Sequence, residues 1–530
     1  MGVVTENEPT PEDTAEAAAH EQAPDNTVPA VPRVPPLPEG VMDSELYSLT
    51  MTVVAQMDAM VTKYLAEDGY KYVPYRNTRT VKAFDSGWPN VGMDEKDESR
   101  VAHRDLFAHK TSSIDPFAYD DIPGMPALKE YVTTTESVTE RVRPQNAAGT
   151  LPADLSDQLM ETTIVLFVAS IYDRAMALGF KVDAPAVADL YMQREKAWLA
   201  PTLEYQLVAP LVLTDIDILD QALQVDADTR LERLTDDDLR RMSEVDRFKV
   251  MSPLADAAKW AVVVDMPPME NIGEGRSLFM PDDPVDTSKI DAVCDAVRIV
   301  SQARPGWARI FRRPRDWATG WKDDLPNLNH AFTARRFPSD FESGGWLKKH
   351  PCVTSEEAAQ LPAIVAALTK GSAQAKLATR RLSMAMLRDA PDDQLIDACI
   401  GLEALLGHKG AEISYRVAVR AAALLSSHPD APRSPEVIFK ATRKVYDRRS
   451  ELVHGSTSNK NASFELTPGK EPMPTHAVAV WLLQDVLHER LTRPGWTVAS
   501  LDALVLSGLT QADASTQNAA DVAGTEPDDT

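Results

Sequence analysis

The sequence predicts an α+β N-terminal region followed by an all-α antiparallel helical bundle, with disordered stretches at both termini. Three observations carry this. β-Branched runs bounded by Pro and Asp recur before residue 355, such as "LEYQLVAPLVLTDIDI" (203–218) and "KWAVVVDMPP" (259–268). After "LTKGSAQAKLA" (368–378) strand and proline signals thin out, and helical periods follow one another. The opening, ending in "VPAVPRVPPLPEG", and the close, "TQADASTQNAADVAGTEPDDT", are too polar and Pro/Ala-rich to offset chain entropy by burial. The expected order is a disordered acidic, Pro-rich tail over 1–40, a mixed region over 41–355, a linker over 356–373, the bundle over 374–500 and an acidic tail over 501–530.

Taken in order, Leu46, Leu49, Val53, Met57, Met60, Val61 and Tyr64 space an amphipathic helix over 42–68. Residues 69–150 mix turns with short apolar pieces. A long helix covers 155–178. Strands follow in 203–218, in "TRLERL", which turns helical near an N-cap at Thr235, and in "KWAVVVDMPP". "DTSKIDAVCDAVRIVSQA" is a helix capped near Asp286 or Thr287. The bundle helices are expected at 374–389, 391–406, 411–427, 434–454 and 474–491. Ser434-Pro435 is an N-cap before a first-turn proline, and Gly455 is the residue expected just past a helix end.

A chain of 530 residues exceeds one ordinary core, so two or three domains are expected. Its net charge of −25 argues against a whole-surface nucleic-acid binder, and no DNA partner is expected. Residues 371–500 nevertheless carry 17 Lys+Arg against 14 Asp+Glu, so the acidity lies outside the bundle. Cys294, Cys352 and Cys399 lie far apart and form neither a disulfide framework nor a zinc signature, which suits a reducing cytoplasm. No secretory signal opens the chain, and the apolar run 164–171 is too short to span a bilayer. No membrane association, metal or cofactor is expected.

The stretch "YDRRSELVHGS" (446–456) holds the candidate site. Arg449 has Val445, Tyr446, Leu452 and Val453 at i±3 and i±4, so it is read as facing inward, with Arg448 nearer solvent beside Glu451. Asp447, Ser450, Glu451 and His454 form a polar stripe. An inward arginine needs a partner, and Glu403, the one charge in the apolar "CIGLEALLG", offers it. A buried Arg449–Glu403 pair is structural, and its loss is expected to cost on the order of 1–4 kcal/mol. Arg416 and Arg420, at i and i+4, call for a nearby anion, a carboxylate or a phosphate. His454 at a helix C-terminus is favoured in its charged form. It serves either as a plain charged cap or, beside an arginine, as a proton carrier for a phosphate.

"CIGLEALLGHKGAEISYRVAVRAAALLSS…IFKATRKVYDRRSELVHG" resembles the HEPN superfamily, in particular its Apea-like branch, over residues 375–495. That resemblance implies an antiparallel helical bundle that dimerises, and a metal-independent endoribonuclease with an R-x4–6-H motif, as in toxins and anti-phage effectors. RNA is the implied partner, with Arg449 and His454 catalytic and two copies forming a composite site. Where many catalytic members carry Asn, Asp or His after the arginine, this chain has Ser450. Residues 41–355 would then sense or regulate. The alternative is a non-catalytic module of the same type that binds RNA or protein.

Other features are read structurally. His103 and His109 lack a third ligand nearby. "GEGRSLF" (273–279) lacks the Lys-Ser/Thr of a phosphate loop. "WARIFRRPRDWATGW" (307–321) is expected to be a packed edge rather than a base-stacking surface.

Overall fold

The computed structural model describes residues 33–69, 71–108, 116–143, 153–246, 254–273, 285–322, 325–407, 412–427, 433–455, 461–467, 469–493 and 495–507. His109, most of "GEGRSLF" and the greater part of both expected tails lie outside these. The described chain mixes helix and sheet.

The first helix, α1 (Ser44–Ala66), starts where Asp43 caps it, its carboxylate accepting from the Glu45 and Leu46 N–H groups. The end of the Pro-rich stretch, expected as part of the tail, is pinned to α1. The Tyr47 hydroxyl lies 3.0 Å from the carbonyl oxygens of both Pro35 and Pro36. The long hairpin of β1 (Tyr75–Ala83) and β2 (Pro89–Val101) follows. Helices α2 (Met125–Thr134), α3 (Glu136–Val142), α4 (Ala153–Ala177) and α5 (Pro185–Leu199) close an N-terminal core with α1 around Leu46, Met57, Val168, Tyr172 and Trp198.

A six-stranded antiparallel sheet comes next. Its strands are β3 (Tyr205–Val212), β4 (Ala222–Gln224), β5 (Thr229–Arg233), β6 (Ala258–Asp265), β7 (Trp307–Pro314) and β8 (Asn329–Arg336), in the order β8-β7-β3-β6-β5-β4. Leu207, Ala209, Leu211, Trp260, Val262 and Val264 join one core, while Val208, Val212, Ala261 and Val263 join another on the opposite face. Covering both faces explains why β3 and β6 read as unbroken apolar runs rather than alternating ones. Pro210 lies in an interior strand, between the Phe311↔Val208 pair and the Val212↔Gly306 bridge, where the register to β7 slips and no ladder donor is required.

Helix α6 (Asp236–Asp246) begins in a reciprocal box: the Thr235 hydroxyl accepts from the Asp238 N–H, and the Asp238 carboxylate accepts from the Thr235 N–H. Helix α7 (Ser288–Val300) packs on the sheet. Trp307 and Trp317 are buried while Arg315 and Asp316 are exposed, so the tryptophans of this stretch pack against the protein.

Residues 356–373, expected as a linker, hold helix α8 (Ser355–Lys370), opened by a capping box of Thr354 and Glu357. Then follow α9 (Ala373–Leu387), α10 (Pro391–Leu406), α11 (Ile413–Leu425) and α12 (Pro435–Val453). A short hairpin of β9 (Ser463–Phe464) and β10 (Met473–Pro474) leads to α13 (Thr475–Thr492). One apolar core runs from Leu207 and Trp260 on the sheet through Val293 and Leu361 to Leu402, Val445 and Leu483. The α+β region and the helical region are thus joined by a shared interior. Residues 501–507, expected in the C-terminal tail, continue a helix that starts at 498, and Leu501 is buried. Among the described residues no helix is long and apolar enough to cross a membrane.

Within the helical region, Arg433 lies over the Trp481 ring at 4.3 Å, near Asp485. Burial pushes the Asp485 carboxyl up to about 6, against the opposing pull of Arg433. A folded-state pKa above the unfolded one means the native state holds that proton longer. Its stability contribution therefore falls as pH rises from about 4 to about 6. Asp485→Asn should flatten this part of a denaturation-versus-pH series, and an unaltered slope would count against a buried protonated carboxyl.

Candidate functional site

Helix α10 runs through the middle of the helical region and packs on α9, α12 and α13. Gly401 allows close approach to α13, since a Cβ there would lie 2.6 Å from a Leu483 methyl. Two residues on, Glu403 Oε1 lies 3.6 Å from Arg449 Nη2 of α12. The expected partnership exists, but its burial is lower than expected. The Arg449 side chain is 37% exposed and that of Glu403 26%. Below it, Tyr446 and Cys399 are buried. Burial first, then the neighbouring Cys399 and Glu403, raise the Tyr446 phenol well above its ordinary value, while Arg449 opposes. Its hydroxyl and the Arg449 Nε are buried without a well-formed hydrogen bond. Burial pushes the Cys399 thiol up to about 12, so it packs as a neutral group. With the pair half in solvent, Glu403→Gln should lower stability by no more than about 1 kcal/mol. A larger shift of the denaturation midpoint would show that the pair acts as a buried one.

The two arginines exchange the positions expected of them. Arg448 is the more enclosed, its side chain only 16% exposed. Its Nη1 donates to Glu451 Oε2 at 3.2 Å, and its Nη2 lies 3.9 Å from Asp392 of the first turn of α10. Asn461 donates to the other Glu451 oxygen at 2.6 Å. His476, in the first turn of α13, has its pKa lowered by burial, with Asp392 opposing. The i±3/i±4 rule assigned faces from the helix's own neighbours. It missed that the hairpin and the ends of α10 and α13 close over the Arg448 side. Only Arg448–Glu451, at i and i+3, was readable from spacing; Asp392, Asn461 and His476 carried no local signal.

His454 is the C-cap of α12, its N–H donating to the Ser450 carbonyl at 3.1 Å. Gly455 follows at φ +67° and donates to Leu452 O, the left-handed ending expected of that glycine. The His454 side chain is exposed, as are Asp447, Ser450 and Val453, so the polar stripe faces solvent except at half-buried Glu451. Among the described residues no hydrogen bond or ion pair engages the His454 ring. Five residues of helix carry His454 about 7.5 Å along and about 140° around from Arg449. The two groups therefore leave α12 in different directions.

Arg416 and Arg420 separate as well. Arg416 is exposed. Arg420 is buried and spans Asp502 bidentately, Nε to Oδ1 and Nη2 to Oδ2 both at 2.8 Å, and donates through Nη1 to Leu406 O at 2.7 Å. The anion expected near this pair is, for Arg420, a carboxylate of the chain itself, which makes that residue structural. Asp397, unremarked in the sequence, is likewise buried, with Arg381 at 2.7 Å and Arg388 at 2.8 Å.

Among the described residues no three His, Cys, Asp or Glu side chains gather as metal ligands would. His103 instead meets the Tyr172 ring edge-on at 5.8 Å. No protein-family model, curated protein or solved structure matches this chain.

Proposed function

We propose that the helical C-terminal region is a HEPN-type, metal-independent endoribonuclease acting in the cytoplasm through Arg449 and His454. The observation that carries it is the end of α12. There an uncommitted, exposed histidine follows an arginine whose carboxylate partner stands off at 3.6 Å and whose Nε has no acceptor. A guanidinium held that loosely can turn to a phosphate oxygen. RNA brings its own nucleophile, the 2′-hydroxyl. It attacks the adjacent phosphorus as its proton passes to a base, and the departing 5′-oxygen takes up a proton, leaving a 2′,3′-cyclic phosphate and a 5′-hydroxyl. His454 serves as base or acid, and Arg449 stabilises charge on the non-bridging oxygens. Ser450 and Asp447 would orient the imidazole. Such an activity would suit a toxin or anti-phage effector under the control of the upstream region.

The divergence of Arg449 and His454 around α12 favours a composite site in which two copies face each other. Exposed apolar Ile413, Tyr415 and Val453 on this region fit that contact. Light scattering of the full chain should report a dimer at tens of micromolar, on the order of ordinary dimer affinities; a monomer there removes the composite arrangement. The Arg449–Glu403 pair favours a second reading, a non-catalytic RNA- or protein-binding module. Incubating the protein with mixed cellular RNA in EDTA separates the two. Cleavage leaving cyclic-phosphate ends supports the nuclease. Intact RNA, or cutting only with added divalent metal, leaves the binding module.

A further inference from the structure

A cleft of about 500 Å³ opens where α7 of the sheet region meets α8 and α9, within the range of about 300–1,000 Å³ common to small-molecule sites. Its floor is aliphatic, formed by Ala292 of α7 and Val365 and Leu368 of α8. On the α9 wall stand Lys376 and Arg380, both exposed and one turn apart. Like charges at that spacing repel each other, and among the described residues neither is paired with a carboxylate. Of the other charges around the cleft, Asp226 is an exposed carboxylate that accepts the Asp228 N–H at 3.0 Å, and the rest are engaged in ion pairs. Lys289 pairs with Asp228, Asp291 with Arg336, and Asp295 with Arg298. Lys376 and Arg380 thus form a two-cation corner beside an apolar floor, with Asp226 the one lining carboxylate that no ion pair among the described residues engages. The lining includes no aromatic ring on which a nucleobase could stack.

We propose that this cleft binds a small amphiphilic anion, its single carboxylate or phosphate head held by Lys376 and Arg380 and its short aliphatic body lying on Ala292, Val365 and Leu368. Two cations a turn apart form a fork for a two-oxygen head. An aliphatic chain sheds water onto the floor without leaving a polar group unpaired. The occupant touches α7 on one side and α8 and α9 on the other. Binding would brace the sheet region against the helices that lead to α12. The site stands apart from Arg449 and His454, so it is independent of the ribonuclease reading.

Calorimetric titration of the full chain tests this with octanoate, octyl phosphate, octanol, acetate and adenosine monophosphate as probes. The two octyl anions should bind, with octanol and acetate at least ten-fold weaker. The tighter octyl anion identifies the head group. Shortening the chain should weaken binding by roughly four-fold per methylene. The Lys376→Ala/Arg380→Ala double variant changes only exposed side chains. It should weaken both octyl anions at least ten-fold and leave octanol unaffected. Ala292→Trp, with its fold checked by circular dichroism, should fill the floor and remove binding. The proposal is overturned if neither octyl anion binds at millimolar concentration or if binding survives both variants. Adenosine monophosphate binding more tightly than octyl phosphate would also overturn it, because the body would then be a base.

Discussion

His454→Ala is expected to lose RNA cleavage by a factor on the order of 10²–10⁴, the usual contribution of a general acid or base, with the fold intact. The ring is exposed and makes no hydrogen bond among the described residues, so its removal should move stability by no more than about 0.5 kcal/mol. The backbone bonds that end α12, His454 N–H to Ser450 and Gly455 N–H to Leu452, do not need the imidazole. Arg449→Ala should lose cleavage as well, at a stability cost of about 1 kcal/mol or less, because its pair with Glu403 is long and half in water. Arg448→Ala is the contrasting variant. It should retain cleavage but cost more stability, about 1–3 kcal/mol, by leaving half-buried Glu451 without its cation. The readouts are a labelled-RNA ladder and a urea denaturation midpoint for each variant. Identical ladders from wild type and His454→Ala would remove the histidine from the chemistry and leave the binding-module reading.

The second large effect concerns Arg420. Asp502→Ala should destabilise the chain on the order of 2–4 kcal/mol, because it strands a guanidinium that is 5% exposed. The figure lies below that for a wholly buried pair because Asp502 itself is half in solvent. Exchanging both partners tests the cause. Arg420→Met with Asp502→Ala removes the stranded charge and keeps much of the volume, so it should recover part of the loss. The outcome also reports on residues 498–507, which Leu501 and Asp502 fasten to the helical region. An unchanged midpoint in Asp502→Ala would mean that the Arg420–Asp502 contact adds nothing to stability.

Helix boundaries were readable because their causes are local. Thr235, Ser434-Pro435 and Gly455 act within a few residues, through caps and a left-handed turn, and each element starts or stops where they stand. Strands β3 and β6 were found from their apolar runs. What made those runs unbroken, a core on each face of the sheet, was not visible. Residues 356–373 look like a linker in the sequence because they lie between two composition types, yet most of them form α8. The Thr354/Glu357 box marks this helix, but only the faces of α7 and α13 make that helix part of a shared core.

The same division holds at the candidate site. By itself the sequence determined that a helix ends at His454, that an arginine lies five residues before it, and that Glu403 is the one charge in the apolar stretch "CIGLEALLG". Those are matters of period and spacing. The tertiary structure alone decided that Arg448 rather than Arg449 is the enclosed arginine, and that the anion beside Arg420 is Asp502, 82 residues away. A helical period says which side chains share a face, but burial depends on what covers that face. Here the covers, the β9–β10 hairpin, the first turns of α10 and α13 and the segment after Thr497, come from distant parts of the chain.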